Sequence, residues 1–487
     1  MLANELLLID GKLVPAASGR TFENVNPATE EVLGVAADAG AEDLDAAIGA
    51  ARRAFDTGTW ATDPAFRARC IRQLRDALVE HAEDIRATTV AEVGAPLMLT
   101  YGAHQDGPVQ DLTFSADLAE SYDWITDLGE SEVMGIKSRR YTRRQAAGVV
   151  GAITPWNFPH QINLAKLGPA LAAGCTVVLK AAPDTPWCAT ALGQLIAEKT
   201  EIPAGVVNII TSQDHQIGAM LSTDPRVDLV SFTGSTATGK AVMRSAADSL
   251  KKVFLELGGK SAFIALDDDK LGEAMGFAGF SGIVHAGQGC ALTTRILIPR
   301  NRFDEGVDAL AGTLNALGCG DPTDGGTVCG PVISARQRDR IEGFLTRAKD
   351  AGATFATGGK RADRDKGFFI EPTLVVGVDN TAEIARQEVF GPVLTAIPYD
   401  SVDHAIEIAN DSDYGLSGAV YGADVQQAQD IASRLRTGTV GVNGGLWYGA
   451  DVPFGGFKQS GIGREMGVAG FEEYTEIQSV AVPAEKS

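Results

Sequence analysis

Two short segments of this 487-residue chain hold residue types suited to one kind of reaction. Cys290 lies in Gly287-Gln288-Gly289-Cys290-Ala291-Leu292-Thr293-Thr294-Arg295, where the small neighbours Gly289 and Ala291 leave the sulfur accessible. Glu256 opens Glu256-Leu257-Gly258-Gly259-Lys260, a turn able to bring a carboxylate opposite that sulfur. A thiolate attacks a carbonyl carbon, loss of hydride leaves a thioester, and a carboxylate activates the water that hydrolyses it. A third group, Asn157, is fixed between Trp156 and Phe158 in Thr154-Pro155-Trp156-Asn157-Phe158-Pro159. Its side-chain N–H can donate to the oxyanion formed during the attack.

Strands and helices must carry these groups. Apolar residues recur at helical spacing over 41–86, with a break at 58–64. A charged extended stretch follows at 137–142. β-Branched runs at 149–154, 176–180, 206–211, 229–233 and 253–255 alternate with helical stretches at 163–173, 187–199, 217–222 and 237–250. That alternation predicts βαβ units in a mainly parallel, doubly wound sheet. After Cys290 a second alternating set runs through 295–298, 303–317, 336–351, 368–376, 393–398, 405–410, 416–421, 428–435 and 439–443, a second α/β unit. The pair Gly258-Gly259 marks the boundary between the two.

The segment from Gly234 to Gly239, continued by Lys240-Ala241, follows the strand at 229–233 and opens a helix, which aims backbone N–H groups and a positive dipole end at a phosphate. A nucleotide P-loop would need Ser or Thr at position 241 to ligate magnesium, and Ala241 stands there. Gly461-Ile462-Gly463-Arg464 also has glycine spacing, but no β-branched strand leads into it. Asn157 and its neighbours Thr154, Pro155 and Trp156 end a strand at its carboxyl side, where open α/β sheets bind ligands. Lys180 ends the next strand, within reach of ribose hydroxyls.

Composition bounds the rest. A formal charge of −21 argues against nucleic acid or an anionic membrane as partner. A basic cluster at Lys137, Arg139, Arg140, Arg143 and Arg144 reads most simply as a solvated strand pair or a subunit contact. Six cysteines lack paired spacing, which fits a reducing compartment, and six histidines never approach ligand spacing, so no metal site is expected. The N-terminus shows no signal-peptide pattern, and the apolar stretch 168–179 is too short to span a bilayer. A cytoplasmic protein of two or three domains is expected.

The segments around Glu256 and Cys290 resemble the two signature segments of the NAD(P)-dependent aldehyde dehydrogenase family, and the likeness extends from Asn26-Pro27 to Phe471. It implies a Rossmann-like dinucleotide-binding domain (1–125 and 147–257), a second α/β catalytic domain (258–460) and a small β oligomerisation arm (126–146 and 461–487). Phe232-Thr233-Gly234-Ser235 resembles the family's dinucleotide turn, with Gly239 and Leu257 beside the cofactor. Glu388 in Glu388-Val389-Phe390-Gly391-Pro392 resembles the carboxylate for the nicotinamide ribose, and Phe390 lies against the nicotinamide side. Lys166 resembles a lysine that relays the proton of Glu256. The arm implies a homodimer or homotetramer.

Four departures from the family pattern stand out. Pro183 replaces a glutamate that commonly contacts the adenosine ribose, so NAD is expected with NADP also admitted; no Arg or Lys adjoins it in sequence. His285 stands where Asn is common. Ala165 replaces a bulky tryptophan beside the substrate tunnel. Gly289 and Ala291 are as small as their positions allow. With Ile162, Leu446, Trp447, Tyr448 and Phe454 as apolar walls and no charged group among them, a bulky apolar aldehyde (aromatic, long aliphatic or terpenoid) is expected. The rivals are a CoA-acylating semialdehyde dehydrogenase, opposed by Glu256; a P-loop nucleotidase, opposed by Ala241; and a non-catalytic descendant, opposed by intact Cys290, Asn157 and Glu256.

Overall fold

The computed structural model describes residues 1–484, so positions 485–487 of the expected arm lie outside the described residues. Five parallel strands, Val149–Ile153, Thr176–Ala181, Val207–Thr211, Leu229–Thr233 and Lys252–Glu256, form the centre of one sheet. Four of them are buried along their whole length or all but the last residue, because helices cover both faces. Leu112, Leu167 and Leu171 pack on one face, and Leu44, Ile48 and Leu221 on the other. In space the strands run third, second, first, fourth, fifth, so the winding reverses between Val149–Ile153 and Leu229–Thr233. Ligands of doubly wound sheets settle at that reversal. The hairpin Leu7–Ile9 and Lys12–Val14 extends one edge. Gly461–Ile462 extends the other, with Gly461 opposite Glu256.

A second sheet has the spatial order Thr354–Thr357, Thr373–Val376, Val393–Tyr399, Thr293–Pro299, Ser261–Ala265, Ser417–Tyr421, Thr439–Val442, antiparallel only at its first strand. Its interior strand Ser261–Ala265 begins one residue after Gly258-Gly259. All five of its residues are buried, so they show no alternation to read from sequence. A third, antiparallel sheet joins Ile125–Val133, Ile136–Ala146 and Thr475–Pro483, and stands largely exposed.

Arg295 ties the second sheet together. Its guanidinium is 1% exposed and donates to Lys260 O (2.8 Å), Asn380 Oδ1 (2.7 Å), Ile408 O (2.8 Å) and Ala409 O (2.9 Å). Burial lowers its pKa to about 10, so it stays charged at neutral pH. Arg295→Met should orphan those acceptors, each at a cost of about 1–3 kcal/mol. The midpoint of urea unfolding should therefore fall clearly, and an unchanged midpoint would show that the network contributes nothing.

Candidate active site

The chain leaves Val149–Ile153 at the reversal point and runs through Thr154 to Asn157 before Pro159 starts the helix Pro159–Ala173. Asn157 is buried, and its Nδ2 donates to Gln288 O at 2.9 Å. A primary amide carries two N–H groups, so one remains for a ligand. Gln288 lies two residues before Cys290, in a loop whose backbone is left-handed at His285 (φ 53°, ψ 42°) and Ala286 (φ 53°, ψ 33°). Such a conformation costs non-glycine residues on the order of 1–2 kcal/mol each. Bonds from His285 N to Val328 O (3.0 Å), Gln288 N to His285 O (3.1 Å) and Ile333 N to Gln288 Oε1 (2.9 Å) hold it.

Cys290 is half-buried. Burial pushes its thiol pKa up, and the carboxylates of Glu256, Glu388 and Glu465 push it further. Glu256, 2% exposed, has no hydrogen-bond partner at either carboxylate oxygen. Burial first, then Glu465, holds it well above the ordinary carboxylate range, while Lys166 and Arg464 pull the other way. Lys166 is ion-paired with Glu465 and donates to Ser231 Oγ at 2.9 Å. Glu465 has no counterpart among the residues expected from sequence. It sits in an irregular loop, and only the backbone pairing of Phe454 with Glu465 delivers it beneath Glu256.

A cleft of about 230 Å³ lies between the two sheets' loops. Pro155, Trp156, Asn157, Thr233, Gly234, Ser235, Glu256, Leu257, Cys290, Glu388 and Phe390 line it, together with Gln337 and Arg340, which sequence reading missed. Trp156 meets Phe390 edge to face at 5.4 Å. Phe390 has φ 59°, and its segment is tethered by Gln337 Nε2 to Phe390 O (2.7 Å) and by Arg340 to the Glu388 and Val389 carbonyls. Glu388 Oε1 accepts from Gly259 N at 2.9 Å.

This donor set fits a dinucleotide. Ser235 caps the helix Thr236–Ala247 at the cleft, Thr233 Oγ1 is buried there without a partner, and Glu388 offers a free carboxylate oxygen. Lys166, Thr154, Lys180 and Gly239 lie outside this lining. Thr154 N bonds Lys180 O (3.2 Å), and Lys180 Nζ bonds Ser212 O (3.2 Å) with its pKa lowered to about 8 by burial. A Cβ at Gly239 would strike Leu257, so glycine is needed there for packing.

Ala165 and Tyr448 share a separate cavity with Phe114, Leu164, Gln161 and Asp111, and its free volume is only about 30 Å³. Ile162, Gly289, Ala291 and Phe454 line neither this cavity nor the cleft at Cys290. Asp111 adds a carboxylate to this lining, beyond the apolar walls expected from sequence. Burial and Asp451 raise its pKa to about 6, which leaves it mostly ionised at neutral pH.

The profile of the Aldehyde dehydrogenase family matches residues 13–480. The chain is 42% identical to the DhaS protein of Bacillus subtilis over 98% of its own length and 96% of that protein. It is 39% identical to the geranial dehydrogenase of Castellaniella defragrans over 97% and 98% of the two chains. An aldehyde dehydrogenase of Mycobacterium tuberculosis, solved with NAD+, superposes with a TM-score of 0.95 at 41% identity and 99% coverage of both chains. The chain belongs to the aldehyde dehydrogenase family. For an aldehyde dehydrogenase, the electrostatics around Glu256 predict how activity responds to acid. Glu465→Gln removes the largest repelling charge and leaves the Lys166 cation. The pKa of Glu256 should therefore fall, and the acidic limb of the pH–kcat profile should move to lower pH. A limb that stays in place, or moves to higher pH, would uncouple Glu465 from Glu256.

Proposed function

We propose that this enzyme oxidises an aldehyde to its carboxylic acid with Cys290 as nucleophile and Glu256 as the base for hydrolysis. One observation supports this above others: Asn157, tethered to Gln288, opens onto the same cleft as Cys290 and Glu256. The Cys290 thiol gives its proton to solvent water as its sulfur attacks the aldehyde carbon. The free N–H of Asn157 and the Cys290 backbone N–H stabilise the oxyanion. NAD, with NADP admitted, supplies the hydride acceptor. Glu256 takes a proton from the water that cleaves the thioester and passes it to the Lys166–Glu465 pair.

Cys290→Ala should abolish oxidation and leave cofactor affinity near normal. Glu256→Gln should spare acylation, giving a burst of reduced cofactor followed by turnover slowed ~10²–10⁴-fold. The assay is run without CoA, which separates hydrolysis from the CoA-acylating alternative. Wild-type turnover by Glu256→Gln would remove that residue as the base.

For the cofactor's outer end, Pro183 lines a cavity with Asp184, His215 and Arg336, and Arg336 stands 3.7 Å from Asp184. The absence of a basic neighbour in sequence therefore does not hold in space. Glu23 and Asp184 line this wall with Arg336, so carboxylates able to accept from a 2′-hydroxyl stand beside a guanidinium able to pair with a 2′-phosphate, which supports NAD with NADP admitted.

The substrate we infer is bulky and largely apolar, supported by Ala165, Phe114, Leu164 and Tyr448 around one cavity and by the relative named geranial dehydrogenase. With so little free volume, a long tail enters only as Tyr448 and its loop give way. Each methylene buried should add about 0.8 kcal/mol, so kcat/KM should climb from acetaldehyde to octanal and geranial. Asp111 should make carboxylate-tailed aldehydes poor substrates. Ala165→Trp should penalise geranial and spare acetaldehyde. Equal kcat/KM across acetaldehyde, octanal and benzaldehyde would end the bulky-substrate reading.

The assembly we infer is a homodimer or homotetramer, supported by Ile125, Leu128, Val133 and Ile136, exposed on the three-stranded arm. A cytoplasmic location is supported by six cysteines that are all free. No helix among the described residues is long and apolar enough to cross a membrane.

A further inference from the structure

Three histidines lie buried behind the nucleophile loop: His104 and His285 at 0% exposure and His160 at 2%. His104 comes from the turn ahead of the helix Asp106–Ser121, His160 from the start of Pro159–Ala173, and His285 from the left-handed turn before Cys290. The His104 ring stacks on Phe158 with centroids 4.2 Å apart and planes 20° apart. His285 meets His104 edge-on at 4.5 Å and Phe158 at 5.2 Å. Phe158 directly follows Asn157. Neither ring nitrogen of His104 has a hydrogen-bond partner, so that ring is held by packing alone, while the Asn157 backbone lies against the His285 ring.

We propose that His104 and His285 are positioning residues for oxyanion binding: with Phe158 they form a three-ring wedge that fixes Asn157 against the loop carrying Cys290. This rests on the reading of Asn157 as the oxyanion donor. The Asn157 amide is tethered at Gln288 O, and Gln288 in turn donates twice to His285 O (3.1 and 3.2 Å). The backbone of one half of the oxyanion pocket is thus bonded to His285, and the ring of His285 packs against the residue next to the other half. A shift of either histidine moves the two donors relative to each other. Oxyanion stabilisation depends on donors fixed before charge develops, so such a shift should slow acylation without weakening substrate or cofactor binding.

The wedge also has an acid response. Burial lowers the pKa of His285 to about 4 and that of His160 to about 4, and places His104 well below its ordinary 6.5; His285 and His160 add to the effect at His104. Hydrogen bonding to the Asn157 backbone acts the other way at His285, and no carboxylate, lysine or arginine contributes to any of the three. The folded state therefore keeps neutral rings while the unfolded chain takes up protons below pH 6.5. Their stabilisation is complete above that pH and declines as pH falls towards the depressed folded values.

The test uses the full-length enzyme, octanal and NAD+, with the rate of the first burst of reduced cofactor as readout. His104→Ala should slow the burst by about tenfold, less than the ~10²–10³-fold cost of losing an oxyanion donor outright, with NAD+ affinity and octanal KM unchanged. His104→Phe keeps the stack and should restore the burst to within about twofold, as volume-conserving swaps do. His285→Asn suits the left-handed backbone but loses the ring, and should behave like His104→Ala; it carries the test if His104→Ala does not fold. In His104→Phe the fall of the thermal midpoint between pH 6.5 and about 4 should be shallower than in wild type. A wild-type burst in folded His104→Ala or His285→Asn overturns the wedge, as does a His104→Phe burst as slow as that of His104→Ala. Asn157→Ala separates the two levels. If it bursts normally, the oxyanion reading itself fails; if it is inactive while the histidine variants are not, only the wedge fails.

Discussion

The bond from the Asn157 amide to Gln288 O, 2.9 Å long and buried, joins the loops of the two sheets at the cleft that Cys290 and Glu256 line. Asn157 hangs from the first strand of one sheet, and Gln288 leads into a strand of the other. Each side is rigid for its own reasons: a proline-started helix behind Asn157, and a left-handed turn pinned by Val328 and Ile333 around Gln288. With one amide hydrogen engaged, the direction of the other is set. Donor direction therefore follows from how the two sheets meet, and a fixed dipole is worth most where it need not reorganise as charge appears.

Around that fixed point the charges are arranged against the resting nucleophile. Three carboxylates and burial all disfavour a thiolate at Cys290, and burial with Glu465 disfavours an anion at Glu256. Both groups are thus biased towards their protonated forms, which disfavours adventitious oxidation of the sulfur. Any cation entering the cleft relieves the same repulsion and lowers both groups together. Lys166 alone does not achieve this, because its charge is already engaged by Glu465. Reactivity is tied in this way to what fills the cleft.

Much of this was legible in the sequence, and the parts that were not share a cause. The five parallel strands follow the β-branched runs, and their order explains why Thr154–Asn157 and Gly234–Ser235 come together: they end the two strands on either side of the winding reversal. The strand Ser261–Ala265 went unread because a strand covered on both faces has no alternation, and the small residues around it carry no propensity signal. Glu465, Gln337 and Arg340 went unread because their roles arise from an isolated backbone bridge in an irregular loop or from a helix face meeting a distant segment, which local patterning does not record. The charge in front of Ala165 was missed for a similar reason. Asp111 belongs to a helix far from the segments whose motifs drew attention, and only packing brings it beside Tyr448.

Gly258-Gly259 shows how one sequence feature admits a better physical reading once contacts are known. As a boundary between two α/β units the pair suggests a flexible joint. Its surroundings are instead crowded: a Cβ on Gly258 would collide with the Glu388 carboxylate, and one on Gly259 would lie 2.5 Å from Cys290 O. Gly258 O accepts from Ser460 Oγ (2.7 Å), Leu257 N donates to Ser460 O (2.9 Å), and Gly259 N donates to Glu388. Every polar backbone group accounted for here is engaged, which is the opposite of a hinge. The glycines are required because the nucleophile loop from one side and the ribose-facing carboxylate from the other both pack against bare backbone. The pair that carries the chain from one sheet to the next therefore lies between the Cys290 loop and the Glu388 carboxylate, and any side chain there would push the two apart.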